Sequence, residues 1–309
     1  MSAASAGSLA LADGLAVNRM GYGAMQLAGP NVFGPPKDRD EAVRVVRTAV
    51  ERGVNCIDTS DFYGPHVTNE IVKEALGART EGVRVFTKVG ALRGENGSWI
   101  PDLTPASLKE QVHSNLKTLG LDVIDVVYLR LPNHDGTTDD PISEEFGALA
   151  ELRQEGLIKH LGLSGASGTQ LTEAQRIAPV VAVQNLYNLV NRQDDALVER
   201  CARENIAFAS FFPLGGFTPI QSDTLGRVAA RVEASPQQVA LAWLLQRSAT
   251  SVVIPGTSKV AHLEENIAAA ELTLPADAIA ELDAIGDQTL RRTETTMPST
   301  TASSPSMTS

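Results

Sequence analysis

Short, mostly apolar segments recur along this chain, and between them apolar residues return at helical spacing. One helical stretch is clear between residues 38 and 52, where Ala42, Val46 and Ala49 share a face and Gly53 follows as a stop signal. The apolar segments are nearly uninterrupted, as expected of parallel strands that are buried on both faces. The pattern therefore predicts strands that alternate with helices.

The alternation predicts eight strands. They lie at about residues 18–25, 54–58, 83–88, 123–129, 161–163, 180–184, 206–211 and 252–254. The helices between them lie at about residues 38–52, 68–76, 104–119, 142–155, 169–177, 193–204 and 236–247. Eight such units favour a single-domain α/β fold, the (β/α)8 TIM barrel, with its active site at the carboxyl ends of the strands. An open doubly wound sheet is the alternative, but Gly21-Tyr22-Gly23 lacks the third glycine and the immediate helix of a dinucleotide-binding fingerprint.

The two ends of the chain are expected to lie outside the barrel. We assign residues 1–17 to an N-terminal extension, residues 18–290 to the barrel and residues 291–309 to a flexible tail. The tail is rich in Ser, Thr and Pro and has almost no apolar bulk, so it is predicted to be disordered.

Composition excludes several classes of protein. The 309 residues carry a formal charge of −11, which disfavours a general nucleic-acid binder because binding to the phosphate backbone needs a basic face. Residues 1–14 lack the cationic start and apolar core of a signal peptide, and no run is apolar enough to span a bilayer. Cys56 and Cys201 match neither a disulfide framework nor a metal-ligand spacing. We expect a cytoplasmic protein without a metal site.

Three polar side chains follow two neighbouring predicted strands. One strand ends at Asp58, Tyr63 comes five positions later, and the next strand ends at Lys88. In a parallel sheet these residues converge on one rim. A tyrosine with an ordinary pKa of about 10 is a poor proton donor at neutral pH, but a nearby ammonium lowers that pKa, and an aspartate keeps the ammonium charged and in place. An aspartate at a strand end is also typical of a loop ligand or helix cap.

These residues carry a resemblance to the aldo-keto reductase superfamily. It rests on Asn55-Cys56-Ile57-Asp58-Thr59-Ser60-Asp61-Phe62-Tyr63-Gly64 and on Thr87-Lys88, and it extends from about Asn18 to Asp283. The resemblance implies a barrel that binds NADPH and transfers a hydride to the carbonyl carbon of a small molecule. Tyr63 would donate a proton to the carbonyl oxygen, Lys88 would lower the tyrosine pKa, and Asp58 would hold Lys88.

The resemblance also implies a nicotinamide site at the strand ends. Ser164 and Gln184 would hold the carboxamide, and Tyr187 would stack on the ring. Taken alone, Tyr187 is as well explained as a half-buried aromatic with its hydroxyl in water. The remaining residues implied for this part of the cofactor site are Gly23, Ala24, Met25, Asp58, Phe211, Pro213, Leu214 and Gly215.

A second segment resembles the part of the family that holds the adenosine end. It comprises Gly256, Thr257, Ser258, Lys259, His262, Glu265 and Asn266. Lys259 and the start of the following helix would receive the 2′-phosphate, which favours NADPH over NADH, whereas Glu265 and Asn266 would meet the adenine. His262 stands where many members carry arginine. The alternative for Lys259 is a solvated surface lysine.

The chain departs from the family pattern at two positions. Arg130 follows the fourth strand, where a histidine usually bonds the substrate carbonyl, and Gly165 stands where asparagine is usual. Arginine is always cationic with several fixed donors, so Arg130 is expected to polarise a carbonyl or hold an anionic or phenolic group. His134 is a weaker substitute, since a loop histidine is more often solvated.

Aromatic residues on the predicted rim loops suggest the kind of substrate. Phe33, Phe62, Trp99 and Phe217 would wall the pocket and suit a flat or apolar carbonyl compound. The segments around Arg130, Gln184 and Phe217 are similar to a bacterial subgroup associated with the reduction of pyridoxal to pyridoxine. A reductase of a biosynthetic ketone or sugar, or a cofactor-binding accessory subunit, remains an alternative.

Overall fold

The computed structural model describes residues 1–77, 81–132, 137–216, 220 and 222–296. Within them the strands, in chain order, are β1 (Ser8–Ala12), β2 (Leu15–Asn18), β3 (Tyr22–Gly23), β4 (Cys56–Asp58), β5 (Arg84–Val89), β6 (Ala91–Arg93), β7 (Trp99–Pro101), β8 (Ile124–Arg130), β9 (Ile158–Ser164), β10 (Val180–Leu186), β11 (Ala207–Phe211) and β12 (Ser251–Val253). All eight predicted barrel strands are present, as β3 to β5 and β8 to β12.

These eight strands form one parallel sheet that closes on itself. Each pairs with the next along the chain, and residues beside β3 bridge to residues beside β12, at Met20 with Val253 and at Gly23 with Gly256. A Cβ atom on Gly23 would lie 2.5 Å from the Ile254 carbonyl oxygen, so the close approach at this seam requires glycine. The predicted TIM barrel is confirmed.

Helices cover the outside of the barrel. They are α1 (Arg39–Glu51), α2 (Val67–Leu76), α3 (Pro105–Leu119), α4 (Ser143–Gln154), α5 (Gly168–Ile177), α6 (Asp195–Arg203), α7 (Asp223–Arg231), α8 (Pro236–Arg247), α9 (Val260–Ala268) and α10 (Ala276–Thr296). Their apolar faces pack on the strands in one continuous core. All seven helices with predicted bounds form. Helix α7 was not predicted from the sequence, although Leu225, Val228 and Ala229 supply a buried face at helical spacing.

The two ends of the chain differ from the simplest expectation. Residues 8–18 form an antiparallel hairpin around Asp13-Gly14, in which Leu15 and Val17 pack into the barrel interior with Cys56, Phe86 and Val126. An Asp-Gly pair between apolar runs is a hairpin signal that the sequence analysis missed. At the other end α10 continues to Thr296, into the predicted tail, and residues 297–309 lie outside the described residues.

We expect Leu15→Ala to lower the free energy of unfolding by about 2–4 kcal/mol, because it leaves a cavity beneath the barrel. Leu15 is buried, whereas Ala16 on the other face of β2 is exposed. Chemical denaturation should therefore show a loss for Leu15→Ala and almost none for Ala16→Ser. Equal effects would mean that the hairpin does not close the core.

Candidate active site

Asp58, Lys88 and Tyr63 meet at the carboxyl end of the barrel. Asp58 ends β4 and pairs in register with Phe86 on β5, so Lys88, two residues further, lies on the same face of the sheet at a higher level. Lys88 Nζ donates to Asp58 Oδ1 at 2.5 Å and to the Thr59 carbonyl at 3.1 Å. The same Nζ atom lies 5.4 Å from the centroid of the Tyr63 ring, and the electrostatic effects of Lys88 and Tyr63 on each other show that the two groups are close. The structure thus brings the three predicted residues together.

The electrostatics of this cluster differ in one respect from the expectation. Burial raises the pKa of Tyr63, and the opposing effects of Lys88 and Arg130 recover only part of that rise, so the phenol remains above its ordinary pKa. Burial also opposes the charge on Lys88, but the ion pair with Asp58 outweighs it and the lysine pKa is raised. The sequence predicted a lowered pKa for Tyr63, and this prediction was wrong. The sequence does not show how deeply the phenol is buried.

Gln184 is tied to the same carboxylate. Its Nε2 donates to Asp58 Oδ2 at 2.7 Å. Because a carboxylate only accepts hydrogen bonds, the amide nitrogen must face Asp58, and Oε1 remains as an acceptor on a residue that lines the cavity. Ser164, at the end of β9, lines the same cavity. The pair therefore presents an oriented amide oxygen and a hydroxyl.

A cavity of about 370 Å³ opens above the cluster. Arg130 lies in its wall, 9% exposed, with its guanidinium carbon 5.6 Å from the Phe62 ring centroid and 5.7 Å from that of Trp99. The wall is predominantly apolar and aromatic. Its lining residues are Met25, Phe62, Tyr63, Lys88, Trp99, Arg130, Leu131, Ser164, Gly165, Gln184, Leu186, Phe211 and Phe212.

Two further cavities continue this one into a groove. A cavity of about 100 Å³ shares Met25, Tyr63 and Gln184 with the first, and a third of about 310 Å³ shares Leu214 and Gly256 with the second. The second also contains Gly23, Asp58 and Pro213, and the third contains Thr257, His262, Glu265 and Asn266. The groove therefore runs from the amide of Gln184 to the polar residues beside α9, the two regions that the sequence assigned to the nicotinamide end and to the adenosine end of the cofactor.

The placement of Tyr187 is corrected. Tyr187 is 1% exposed and lies outside the cavity walls. Its hydroxyl donates to Asp195 at 2.5 Å and accepts from Arg247 at 3.1 Å, and its ring stacks on Trp243. The preceding residue, Leu186, lines the cavity, and successive strand residues face opposite sides. Phe211 and Phe212, together with Tyr63, line both the first and the second cavity.

Other sequence-predicted residues lie outside these walls. Phe33 packs on Arg93 instead of the cavity, with 5.3 Å between the guanidinium carbon and the ring centroid. At the start of α9 the Lys259 amide donates to Thr257 Oγ1, and the Val260 amide donates to Glu41 at 3.1 Å. Ala24, Gly215, Ser258 and Lys259 line none of the three cavities. Phe217 and His134 lie outside the described residues.

The cavity walls also contain residues that were not individually assigned from the sequence. They include Gln26, Leu131, Leu186, Phe212 and Gly216. Leu131 and Leu186 lie at or directly beyond strand ends, so the sequence could have placed them at the rim. It could not have shown that their side chains point into the cavity.

Comparison with known proteins agrees with this geometry. The model of the Aldo/keto reductase family matches residues 19–287. The chain is 56% identical over 271 residues to pyridoxine 4-dehydrogenase from Escherichia coli, covering 87% of this chain and 95% of that protein. Among solved structures it is similar to the thermostable aldo-keto reductase Tm1743, with a TM-score of 0.75 and 29% identity over 88% of this chain and 97% of that one. The aldo-keto reductase AKR11C1 from Bacillus halodurans, in its holo form, gives a TM-score of 0.73 and 26% identity over 88% and 93%.

A buried Asp-Lys-Tyr cluster beside an oriented amide, at the carboxyl rim of a parallel barrel, defines a carbonyl-reducing oxidoreductase. The chain belongs to the aldo/keto reductase family, as its sequence predicted, and it is an NADP-dependent oxidoreductase. Within the described ranges no helix has the length and apolarity needed to cross a membrane.

We expect Tyr187→Phe to destabilise the fold by about 1–2 kcal/mol, because the hydroxyl bonds to Asp195 and Arg247 are lost from a buried position. The dissociation constant for NADPH should stay unchanged, because the ring lies outside the groove. Phe211→Ala should instead weaken NADPH binding with a smaller effect on unfolding. Fluorescence titration measures NADPH binding by both variants, and chemical denaturation measures their stability. Weakened NADPH binding in Tyr187→Phe would mean that Tyr187 contacts the nicotinamide ring after all.

Proposed function

We propose that this enzyme reduces pyridoxal to pyridoxine with NADPH, and that Tyr63 donates the proton. The observation that carries the proposal is the position of Tyr63 beside the Lys88–Asp58 ion pair, with Lys88 Nζ 5.4 Å from the tyrosine ring centroid, in the lining of an aromatic-walled cavity. The similarity to pyridoxine 4-dehydrogenase over most of both chains supports the choice of substrate. The two buried thiols, Cys56 and Cys201, suit the reducing cytoplasm, where we place the enzyme.

NADPH, when bound, supplies the hydride that adds to the carbonyl carbon. For the nicotinamide end, we assign the Oε1 atom of Gln184 and the hydroxyl of Ser164 to the carboxamide, and Phe211 to the ring face. Gly23, Met25, Pro213 and Leu214 form the middle of the groove. Asp58 contributes indirectly, because its carboxylate fixes the amide of Gln184 and the ammonium of Lys88.

For the adenosine end, we assign His262 and Lys259 to the 2′-phosphate and Glu265 and Asn266 to the adenine. His262, Glu265 and Asn266 line the far cavity. The first amide of α9 already bonds the Glu41 carboxylate, so the phosphate depends on side-chain cations and the remaining amides. NADPH is therefore preferred over NADH, but with a smaller margin than in a relative that has arginine at the position of His262.

Proton transfer follows from the charges around the phenol. As negative charge develops on the carbonyl oxygen, Tyr63 gives up its proton, and the adjacent ammonium of Lys88 stabilises the resulting phenolate. Asp58 keeps Lys88 protonated because its partner charge is buried with it. Arg130 contributes a second cation close to Tyr63. A phenol with a raised pKa stays protonated across the neutral range, so it is available as the acid.

Arg130 is assigned a further role toward the substrate. Pyridoxal carries a phenolic oxygen next to its aldehyde, and a guanidinium can hold such an oxygen with fixed donors. Phe62 and Trp99 flank Arg130 and supply aromatic surface beside it for a flat ring. The site therefore favours an aromatic aldehyde with an ortho oxygen.

We expect Tyr63→Phe to lower kcat by at least about 100-fold while the dissociation constant for NADPH changes little, because only the proton donor is removed. Tyr187→Phe is the matched control, since it loses a hydroxyl outside the groove. Single-turnover reduction and NADPH titration separate the two effects. Turnover near the wild-type value in Tyr63→Phe would refute the assignment of Tyr63. If no aldehyde speeds NADPH oxidation by the wild type, an accessory role would be favoured instead.

We expect Arg130→His to retain reduction of simple aldehydes while kcat/KM for pyridoxal falls by about tenfold or more, because histidine cannot replace the paired donors. The measurement compares pyridoxal with pyridine-4-carboxaldehyde, which lacks the phenolic oxygen. An equal loss for both compounds would show that Arg130 acts on the carbonyl alone. Loss of all activity in folded protein would show that histidine cannot serve at this position.

A further inference from the structure

Arg93 joins two segments of the rim that are far apart in sequence. It ends β6 and pairs in register with Trp99 on β7, so the two side chains belong to one hairpin. Its Nη1 donates to the Val32 carbonyl at 2.8 Å, and its Nη2 donates to the carbonyls of Asn31 at 3.2 Å and Gly97 at 2.8 Å. One guanidinium thus connects the hairpin to the loop after β3.

That loop is in turn fixed next to the proton donor. The Gly34 amide donates to the Gly64 carbonyl at 2.9 Å, and the Gly64 amide donates to the Val32 carbonyl at 3.2 Å. Val32 has a φ of +58°, a strained conformation for a β-branched residue, so its carbonyl direction must be imposed by these partners. Gly64 directly follows Tyr63. Arg93 and the Gly64 amide therefore donate to the same Val32 carbonyl, which links Arg93 to the loop that carries Tyr63.

Arg93 also supports one wall of the cavity. Its guanidinium carbon lies 4.1 Å from the centroid of the Trp99 ring, the closest cation–ring contact among the described residues. Trp99 is 39% exposed and meets Phe62 edge-on at 5.5 Å. The indole also meets Arg130 at 5.7 Å and the Tyr63 ring at 6.4 Å, but the contact with Arg93 is the shortest and is made within the same hairpin, so it is the main local constraint on the ring.

We propose that Arg93 is a positioning residue that sets substrate selectivity by holding Trp99 as a wall for flat aromatic carbonyl compounds. The inference rests on the proposed function, because it takes the cavity above Tyr63 as the substrate site. It extends that function by separating the part of the site that selects ring-bearing substrates from the part that performs proton transfer.

The role requires arginine. The planar guanidinium donates along its edges to three carbonyls on two segments, and its face stacks on one aromatic ring at the same time. A lysine ammonium retains the charge but is a single point, so it cannot bond both segments while stacking on an indole. Arg93→Lys therefore removes the positioning and preserves the local charge.

We expect Arg93→Lys to raise KM for pyridoxal by about tenfold. The KM for propanal, kcat for both aldehydes and the NADPH dissociation constant should all stay within about twofold of the wild-type values. Propanal is too small to need the indole wall. Trp99 is one of two tryptophans and Trp243 is buried, so the emission of Trp99 should shift to longer wavelength as it gains solvent. Arg153→Met is the control, since Arg153 also bonds a backbone carbonyl, that of Lys159, but far from the rim.

A double-mutant cycle with Trp99→Ala decides whether Arg93 acts through Trp99. In the Trp99→Ala background, Arg93→Lys should change KM for pyridoxal by less than about twofold. Additive effects, or an equal rise in KM for pyridoxal and propanal, would overturn the inference and leave Arg93 a purely structural residue. So would a loss of folded protein or of NADPH binding in Arg93→Lys. Failure of the wild type to reduce either aldehyde would instead refute the proposed function.

Discussion

The buried ion pair between Lys88 and Asp58 is the constraint around which the site is built. Removing two charges from water is costly, and the cost is offset only when geometry is good and the remaining polar atoms are bonded. Here Lys88 also bonds the Thr59 carbonyl, and the second carboxylate oxygen of Asp58 accepts from Gln184. The same contacts that make the pair tolerable therefore hold the ammonium beside Tyr63 and orient the side-chain amide of Gln184, so stability and the geometry of the site depend on one set of atoms.

A second polar cluster keeps the loop with Tyr63 in place. Thr59 donates to the Asn69 side chain at 2.8 Å, and Asn69 and Thr87 donate to Asn115 at 3.0 and 2.5 Å. These bonds connect the loop after β4 to α2, β5 and α3 in the buried interior. A fully bonded polar network of this kind favours one arrangement over others, because any shift would leave a buried group unpaired. Tyr63 is thus held by a rigid surround, as precise proton transfer requires.

The aromatic wall of the cavity is built on a different basis. Lys88, Gln184 and Ser164 stand on barrel strands, whereas Trp99 stands on a hairpin that reaches the rest of the molecule through Arg93. Strand-borne groups share the stability of the barrel, and the hairpin depends on a few local contacts. This division lets substitutions in the hairpin change the aromatic wall while the strand-borne Lys88, Gln184 and Ser164 keep their positions, a general property of barrel enzymes.

The sequence alone determined the barrel and the convergence of Asp58, Lys88 and Tyr63, because alternating strands and helices place strand-end residues on one rim. The hairpin at residues 8–18 was also readable from its Asp-Gly turn, although it was missed. Only the tertiary structure decided that Phe211 and not Tyr187 lines the groove, since the inward or outward direction of a residue beyond a strand depends on the local path of the chain. It also decided that burial raises the pKa of Tyr63 and that Arg93 connects to Val32. Burial and contacts between distant segments arise from how the whole chain packs, and no local pattern encodes them.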